Sequence, residues 1–183
     1  MFMSTEKKTV HTIPVPSGVN VAIEGDRVSI SGSLGTNKRK FNAALVEVAK
    51  EGDSITVTAI GRKKLAKRSR NVSNAARKEI ENDITGVGSH FEVMMETVFS
   101  HFPITVEVKG KEVHIKNILG ERVPRTSKIV GDTKIEVKDK MVRIYGINRD
   151  DVSQTAANIR EACKTRNKDE RVFQDGVYYS INE

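Results

Sequence analysis

The sequence predicts an α+β protein made by tandem duplication of a small unit, each copy an antiparallel sheet carrying one helix. Three observations predict it. The stretch VNVAIEGDRVSISGSLG from Val19 reappears as ITVEVKGKEVHIKNILG from Ile104, with Val21 and Val106, Gly25 and Gly110, Val28 and Val113, Ile30 and Ile115, Leu34 and Leu119, and Gly35 and Gly120 at one constant offset. Each copy continues into a strand, a two-residue turn and another strand, with Gly52-Asp53 turning the first and Asp139-Lys140 the second. Each then ends in an apolar stripe at helical spacing.

In chain order, Val19, Val21 and Ile23 alternate as a half-buried strand that turns at Gly25 into a second one bearing Val28 and Ile30. The next stretch, GSLGTNKRK, has the look of a phosphate cradle. A P-loop needs Gly, four residues and then Gly-Lys-Ser/Thr, whereas Asn37 follows Gly32 at the critical step and neither Ser nor Thr follows Lys38. It is therefore read as a loop presenting Lys38, Arg39 and Lys40 to an extended anion. NILGERVPR, with Arg122 and Arg125, is its counterpart in the second copy. Leu65, Val72, Ala76, Ile80 and Ile84 form the first helical stripe; Arg62, Lys63, Lys64, Lys67, Arg68 and Arg70 crowd its start, where the helix dipole disfavours cations. Phe91, Val93, Met95 and Phe99 read as a strand joining the copies, and without a Gly/Ser-rich linker the two are expected to hold a nearly fixed orientation. In the second copy Ile104, Val106 and Val108 repeat the first strand. Val152, Ala156, Ile159 and Cys163 line its helix, which Asn148 can cap and whose first turn holds Asp150 and Asp151. The expected organisation is a first repeat over 1–100, a second over 101–166 and a C-terminal tail over 167–183.

Composition narrows the function. The 183 residues carry a net charge of +7, with 30% charged and 37% hydrophobic residues, which favours a folded protein with a polyanionic partner. Cys163 stands alone, so an internal disulfide is excluded, a Cys-rich zinc site is ruled out, and a reducing cytosolic compartment is the default; Cys163 itself reads as a small core residue rather than a nucleophile. Neither a signal-peptide run nor 18 consecutive apolar residues occurs, so no membrane role is expected. His11, His90, His101 and His114 lack metal-ligand spacing, and the chain shows neither a nucleophile elbow nor a dinucleotide turn. No enzyme activity, cofactor, metal or small-molecule substrate is expected. An enzyme using the Gly32 to Lys40 loop and a scaffold for acidic proteins remain as other classes.

The last stretch, KTRNKDERVFQDGVYYS, sets Lys164, Arg166, Lys168 and Arg171 beside Phe173, Tyr178 and Tyr179. Its cations suit RNA phosphates; its rings suit packing back on the sheet. Together with PSGVNV, ITGVGSHFEVMMETVFSHFPITV, NILGERV and VSQTAANI, this ordered set resembles the L-six family of large-subunit ribosomal proteins over essentially the whole chain, and the Asp-Gly-Val-Tyr ending favours its archaeal and eukaryotic branch. The resemblance implies a duplicated α+β fold and a structural role in the large subunit, bound to large-subunit rRNA near the base of the factor-binding stalk and the sarcin-ricin loop. It further implies contact with neighbouring large-subunit ribosomal proteins and a cytoplasmic, ribosomal location. Family contacts lie mainly in the second unit and tail, which carries over to Gln154, Arg160, Lys164, Arg166, Lys168 and Arg171. With the loop cations Lys38, Arg39, Lys40, Arg122 and Arg125, and Arg149 at the start of the second helix, these make up the candidate RNA-binding residues.

Overall fold

The computed structural model describes residues 9–60, 65–169 and 171–180. The chain divides into two compact units, Met1–Ser89 and His90–Glu183. In the first, β1 (Val10–Pro14), β2 (Asn20–Glu24), β3 (Arg27–Ser31), β4 (Thr36–Lys40), β5 (Val46–Glu51) and β6 (Ser54–Ala59) precede one helix, α1 (Ala66–Gly88). They form two three-stranded sheets, β2-β3-β4 and β1-β6-β5, antiparallel at every pairing. The second contains β7 (Phe91–Val98), β8 (Thr105–Lys109), β9 (Glu112–Lys116), β10 (Arg125–Lys128), β11 (Lys134–Lys138), β12 (Met141–Gly146), α2 (Arg149–Cys163) and β13 (Gly176–Tyr179). Its sheets run β10-β9-β8 and β11-β12-β7-β13, again antiparallel throughout. Each copy is thus α+β with one helix, as the periodicity predicts, although its strands divide between two small sheets.

The repeated positions do the same physical job in both units. Val21 and Val106, Val28 and Val113, and Ile30 and Ile115 are all buried, because alternate residues of a strand share the face turned to the core. Gly25 and Gly110 open the matching hairpin turns at φ +62° and +61°, a left-handed conformation that a side chain would oppose. Val152, Ala156, Ile159 and Cys163 of α2 are all buried against Met95, Val142, Ile144 and Val177, so the second helical stripe is where its spacing puts it. The Asn148 side chain accepts a hydrogen bond from the Asp150 amide at 3.0 Å and caps the helix.

Three expectations change. The boundary expected after residue 100 differs from the division at 89/90, because β7 pairs with β12 just as β1 pairs with β6: β7 is the first strand of the second copy, and β1 is its counterpart in the first. Residues 36–40 are not a loop but β4, paired along β3, and Arg125 likewise opens β10. On α1, Leu65 is 48% exposed, while Ser69, Ser73 and Asp83 join Ala76, Ile80, Ile84 and Val87 on the buried face. Their polar atoms are satisfied there, since the Ser69 hydroxyl donates to the Leu45 carbonyl and the Ser73 hydroxyl to the Arg70 carbonyl. The tail packs back on its own sheet: β13 adds to the edge of β7, and the buried Asp175 carboxylate accepts from the Ser100 amide at 3.1 Å.

Gly32, which prompted the phosphate-cradle reading, has a packing explanation. A Cβ there would stand 2.7 Å from Cγ2 of Val87 and 2.8 Å from its carbonyl oxygen. The Leu34 amide and Ser33 hydroxyl both donate to that same carbonyl, so the corner is pressed onto the end of α1. The glycine permits a close helix approach, and the strand that follows is not the helix a phosphate cradle requires.

Candidate nucleic-acid interface

The structure separates the candidate cations into those engaged by the fold and those presented to solvent. Alternation along β4 points Thr36, Lys38 and Lys40 outward and Asn37 and Arg39 toward α1. There the Arg39 guanidinium donates to both oxygens of Asp83, Nε to Oδ2 at 2.5 Å and Nη2 to Oδ1 at 3.1 Å, with Glu79 at 3.6 Å. The Arg39 side chain is only 16% exposed and that of Asp83 3%. A buried carboxylate needs such a partner, so Arg39 is first a structural residue. Lys40 lies 3.2 Å from Asp26 in an exposed pair, and Lys38 is exposed.

Arg125 is the corresponding structural cation of the second unit. It grips Glu121 with two hydrogen bonds, at 2.8 and 2.6 Å, and its remaining Nη1 donates to the carbonyls of Ala162 and Lys164 at 3.1 and 2.8 Å. Those carbonyls lie at the end of α2, where the last turn leaves acceptors unpaired and the dipole is negative. The bond to Arg125 holds the Glu121 carboxyl below the usual carboxylate range, and Glu121 in turn raises Arg125. One guanidinium therefore ties the exposed 121–124 loop, with Arg122, to the C-terminal end of α2. Lys168 acts on the Glu121 charge as well, which puts the tail beside the same loop.

At that end of α2 the exposed cations converge. Arg160 and Lys164 stand one turn apart on one helix face, and Arg166, Lys168 and Arg171 follow on the exposed segment beyond it. Arg171 is held to Asp169 by a backbone and two guanidinium hydrogen bonds at 3.0 to 3.3 Å, which keep the Asp169 carboxyl below its usual range; at 90% exposure of its side chain the pair can readily exchange for a phosphate. Between α2 and β13 lies a cleft of about 760 Å³. Ala157, Arg160, Glu161 and Lys164 form its helix side, and Phe173, Gln174, Tyr178 and Tyr179 the tail side. The rings are half-open, with Phe173 at 40%, Tyr178 at 38% and Tyr179 at 42% exposure. Arg160 lies over Tyr179 at 5.7 Å and Lys168 over Phe173 at 4.8 Å.

Arg149 and Gln154 are exposed on α2 but lie outside this group. Arg149 starts the helix, roughly 16 Å along its axis from Arg160 at 1.5 Å per residue. The Gln154 amide donates to Asn158 at 2.9 Å, and Asn158 in turn donates to the Lys128 carbonyl, away from the cleft. Of the basic run at the start of α1, Arg62, Lys63 and Lys64 fall outside the described residues, whereas Lys67, Arg68 and Arg70 are exposed. Among the described residues α1 has no acid in its first turn, so these charges are left opposite the dipole. Val98, Thr165 and Gln174, which no motif marks, also line the cleft. Local sequence signals could not have found them, because only the pairing of β13 with β7 brings them together.

Cys163 forms part of the core beneath this surface. Burial pushes its thiol up to about 11, which suits an apolar packing residue rather than a nucleophile. His114 stands 3.7 Å from Glu112 on the same strand, and among the described residues no group of three or more His, Cys, Asp and Glu is placed to hold a metal ion. No described helix is long and apolar enough to cross a membrane.

Residues 102–176, all within the second unit, match the family described as Ribosomal protein L6. Similarity to known proteins extends much further. A large ribosomal subunit protein uL6 from Methanobrevibacter smithii is 42% identical over 172 residues, covering 93% of this chain and 94% of its own. The uL6 of Methanocella arvoryzae is 41% identical over 177 residues, covering 96% and 97%, and that of Thermoplasma acidophilum is 40% identical over 171 residues, covering 93% and 94%. These matches run through both copies of the duplication, and on them the chain belongs to the uL6 family.

Proposed function

We infer that this protein is a structural constituent of the large ribosomal subunit that binds large-subunit rRNA chiefly through its second unit and tail and thereby supports translation in the cytoplasm. The observation that carries the reading is the convergence of Arg160, Lys164, Arg166, Lys168 and Arg171 at one end of α2, beside an aromatic cleft and the Arg122 loop. Phosphates give a single reason for exposed cations gathered there, and RNA gives a reason for exposed rings beside them. The relatives are named as large-subunit proteins, which supports reading the RNA as ribosomal. Proximity to the stalk base and sarcin-ricin loop, and contact with neighbouring ribosomal proteins, complete the proposal on family grounds. Nucleotide hydrolysis at the Gly32 corner is disfavoured by the close packing of Gly32 on Val87.

Co-sedimentation with large subunits at raised salt, with and without ribonuclease, tests it: binding should be lost on ribonuclease treatment. If about six phosphates are neutralised, log affinity for the RNA should fall with log salt at a slope of roughly −4 to −5. Replacing Lys164, Arg166, Lys168 and Arg171 together by Ala should flatten that slope by about 3, at 0.7 to 0.9 per phosphate. The same number of charges removed at Lys38, Lys40, Lys67 and Arg68 should change it less. Association that survives ribonuclease, or equal effects of the two quadruple variants, would overturn the assignment of the second unit as the principal RNA-binding half.

A further inference from the structure

We propose that the cleft between α2 and β13 is a subsite for a single unpaired RNA base, which stacks on its rings while the flanking phosphates lie against Lys164 and Arg166. The proposal rests on the RNA-binding reading above and adds what that reading lacks, a place where the nucleotide itself is held.

The cleft has the right chemistry for a base and the wrong chemistry for phosphate alone. At about 760 Å³ it is within the range of small-ligand pockets, larger than a surface ion needs. Its walls mix Phe173, Tyr178 and Tyr179 with Arg160, Lys164 and a carboxylate, Glu161. That carboxylate would repel a phosphate inside the cleft, yet it is a suitable acceptor for the amino group on the edge of an adenine, guanine or cytosine. Ala157, exposed and small, stands one turn before Arg160 and Glu161 and leaves the concavity open on the helix side.

The rings are held in place rather than waiting to be ordered. The Tyr178 hydroxyl donates to the Gln174 carbonyl at 3.0 Å, and Tyr178 and Tyr179 sit on a strand whose backbone is paired to β7. By register Tyr179 shares the α2-facing side of the sheet with the core residue Met95, whereas Tyr178 lies with Glu96 on the opposite face, so the base stacks on the Tyr179 side of the cleft, beside Phe173, and Tyr178 bounds the open edge of β13. Large hydrophobic rings left about two-fifths exposed beside cations are what single-stranded recognition uses: each base offers a π-face, and an Arg such as Arg160 over Tyr179 extends the stack.

The test uses the full-length protein and a short RNA hairpin carrying one bulged adenine. Three forms of the bulge are compared: adenine, 2-aminopurine as a fluorescent reporter, and an abasic residue. Stacking of one base corresponds to a loss of roughly ten-fold in affinity when removed, within the range of alanine-substitution values. Wild-type protein should therefore prefer adenine to the abasic bulge by about ten-fold and should change the 2-aminopurine fluorescence. Phe173→Leu/Tyr179→Leu should bind the adenine hairpin about ten-fold more weakly, discriminate little between the two bulges, and keep the wild-type salt slope. Because the abasic comparison uses the unaltered protein, it stands even if the double variant folds poorly. Salt-dependent binding without any preference for the base would overturn the subsite while leaving RNA binding intact. Displacement of the RNA by polyglutamate equally from wild-type and ring-substituted protein would make the cleft a plain cation surface and would also overturn it. Failure of every hairpin to bind at low salt would overturn the RNA-binding reading itself.

Discussion

Arg39 separates the two kinds of cation in this protein most sharply. Replacing it by Ala leaves the Asp83 carboxylate, whose side chain is 3% exposed, without its guanidinium, although Asn37 still donates to it at 3.1 Å. Removing one partner of a buried ion pair typically costs about 3–5 kcal/mol, and the partial exposure of Arg39 together with the surviving Asn37 bond puts the expected loss near the lower end, about 3 kcal/mol. For a domain of this size each kcal/mol shifts the midpoint by about 4–8 °C, so the first unit should melt roughly 12–24 °C lower. Calorimetry reads the transition, and hydrogen exchange at α1 amides assigns it to the first unit. Arg39→Lys should recover little, since Lys cannot make the bidentate contact. Arg39→Met combined with Asp83→Leu should recover most of the loss by removing both charges. The salt slope of RNA binding, measured below the transition, should not move. If Arg39→Ala instead melts with the wild type and lowers that slope by about 0.7–0.9, Arg39 is a phosphate contact and the structural assignment fails.

Arg125→Ala should destabilise the second unit by about 1–2 kcal/mol, because it removes the donor to two helix-end carbonyls and a half-exposed carboxylate pair whose screened attraction adds little. The Glu121 share of that difference has a defined pH sign. Its carboxyl is held below its ordinary value of 4.5, so the stabilisation is present above that value and lost as pH falls through the folded one; denaturant melts of wild type and Arg125→Ala should partly converge as pH is lowered from 4.5. Gly32→Ala should lower the midpoint of the first unit through overpacking against the Val87 backbone, at about 1–3 kcal/mol, while leaving RNA affinity unchanged; a Gly32→Ala variant as stable as wild type would contradict the packing account. Cys163, with its thiol near 11, should be alkylated at pH 8 only upon unfolding, since the thiolate fraction there is on the order of one in a thousand; rapid labelling of native protein would show the thiol to be accessible.

Much of this molecule is written in local pattern. The duplication, the paired hairpins turning at Gly25 and Gly110, the buried stripe of α2 and its Asn148 cap follow from periods of two and 3.6 residues and from turn and cap preferences, all of which act over a few neighbouring residues. The core role of Cys163 follows from the same spacing. Only tertiary structure decided which copy β7 belongs to, because alternation announces a strand but not its partner, and the partner here is β12, far along the chain. The fate of the cations was decided the same way. Arg39 and Lys40 are adjacent in sequence, yet the pleat turns one toward Asp83, 44 positions away, and the other toward solvent. Arg125 and Arg122 divide likewise, one closing the end of α2 and the other left exposed. A charged side chain carries the same label in either role, and whether it holds the fold together or meets an anion depends on which carboxylates and carbonyls the chain's long-range pairing brings within hydrogen-bond reach.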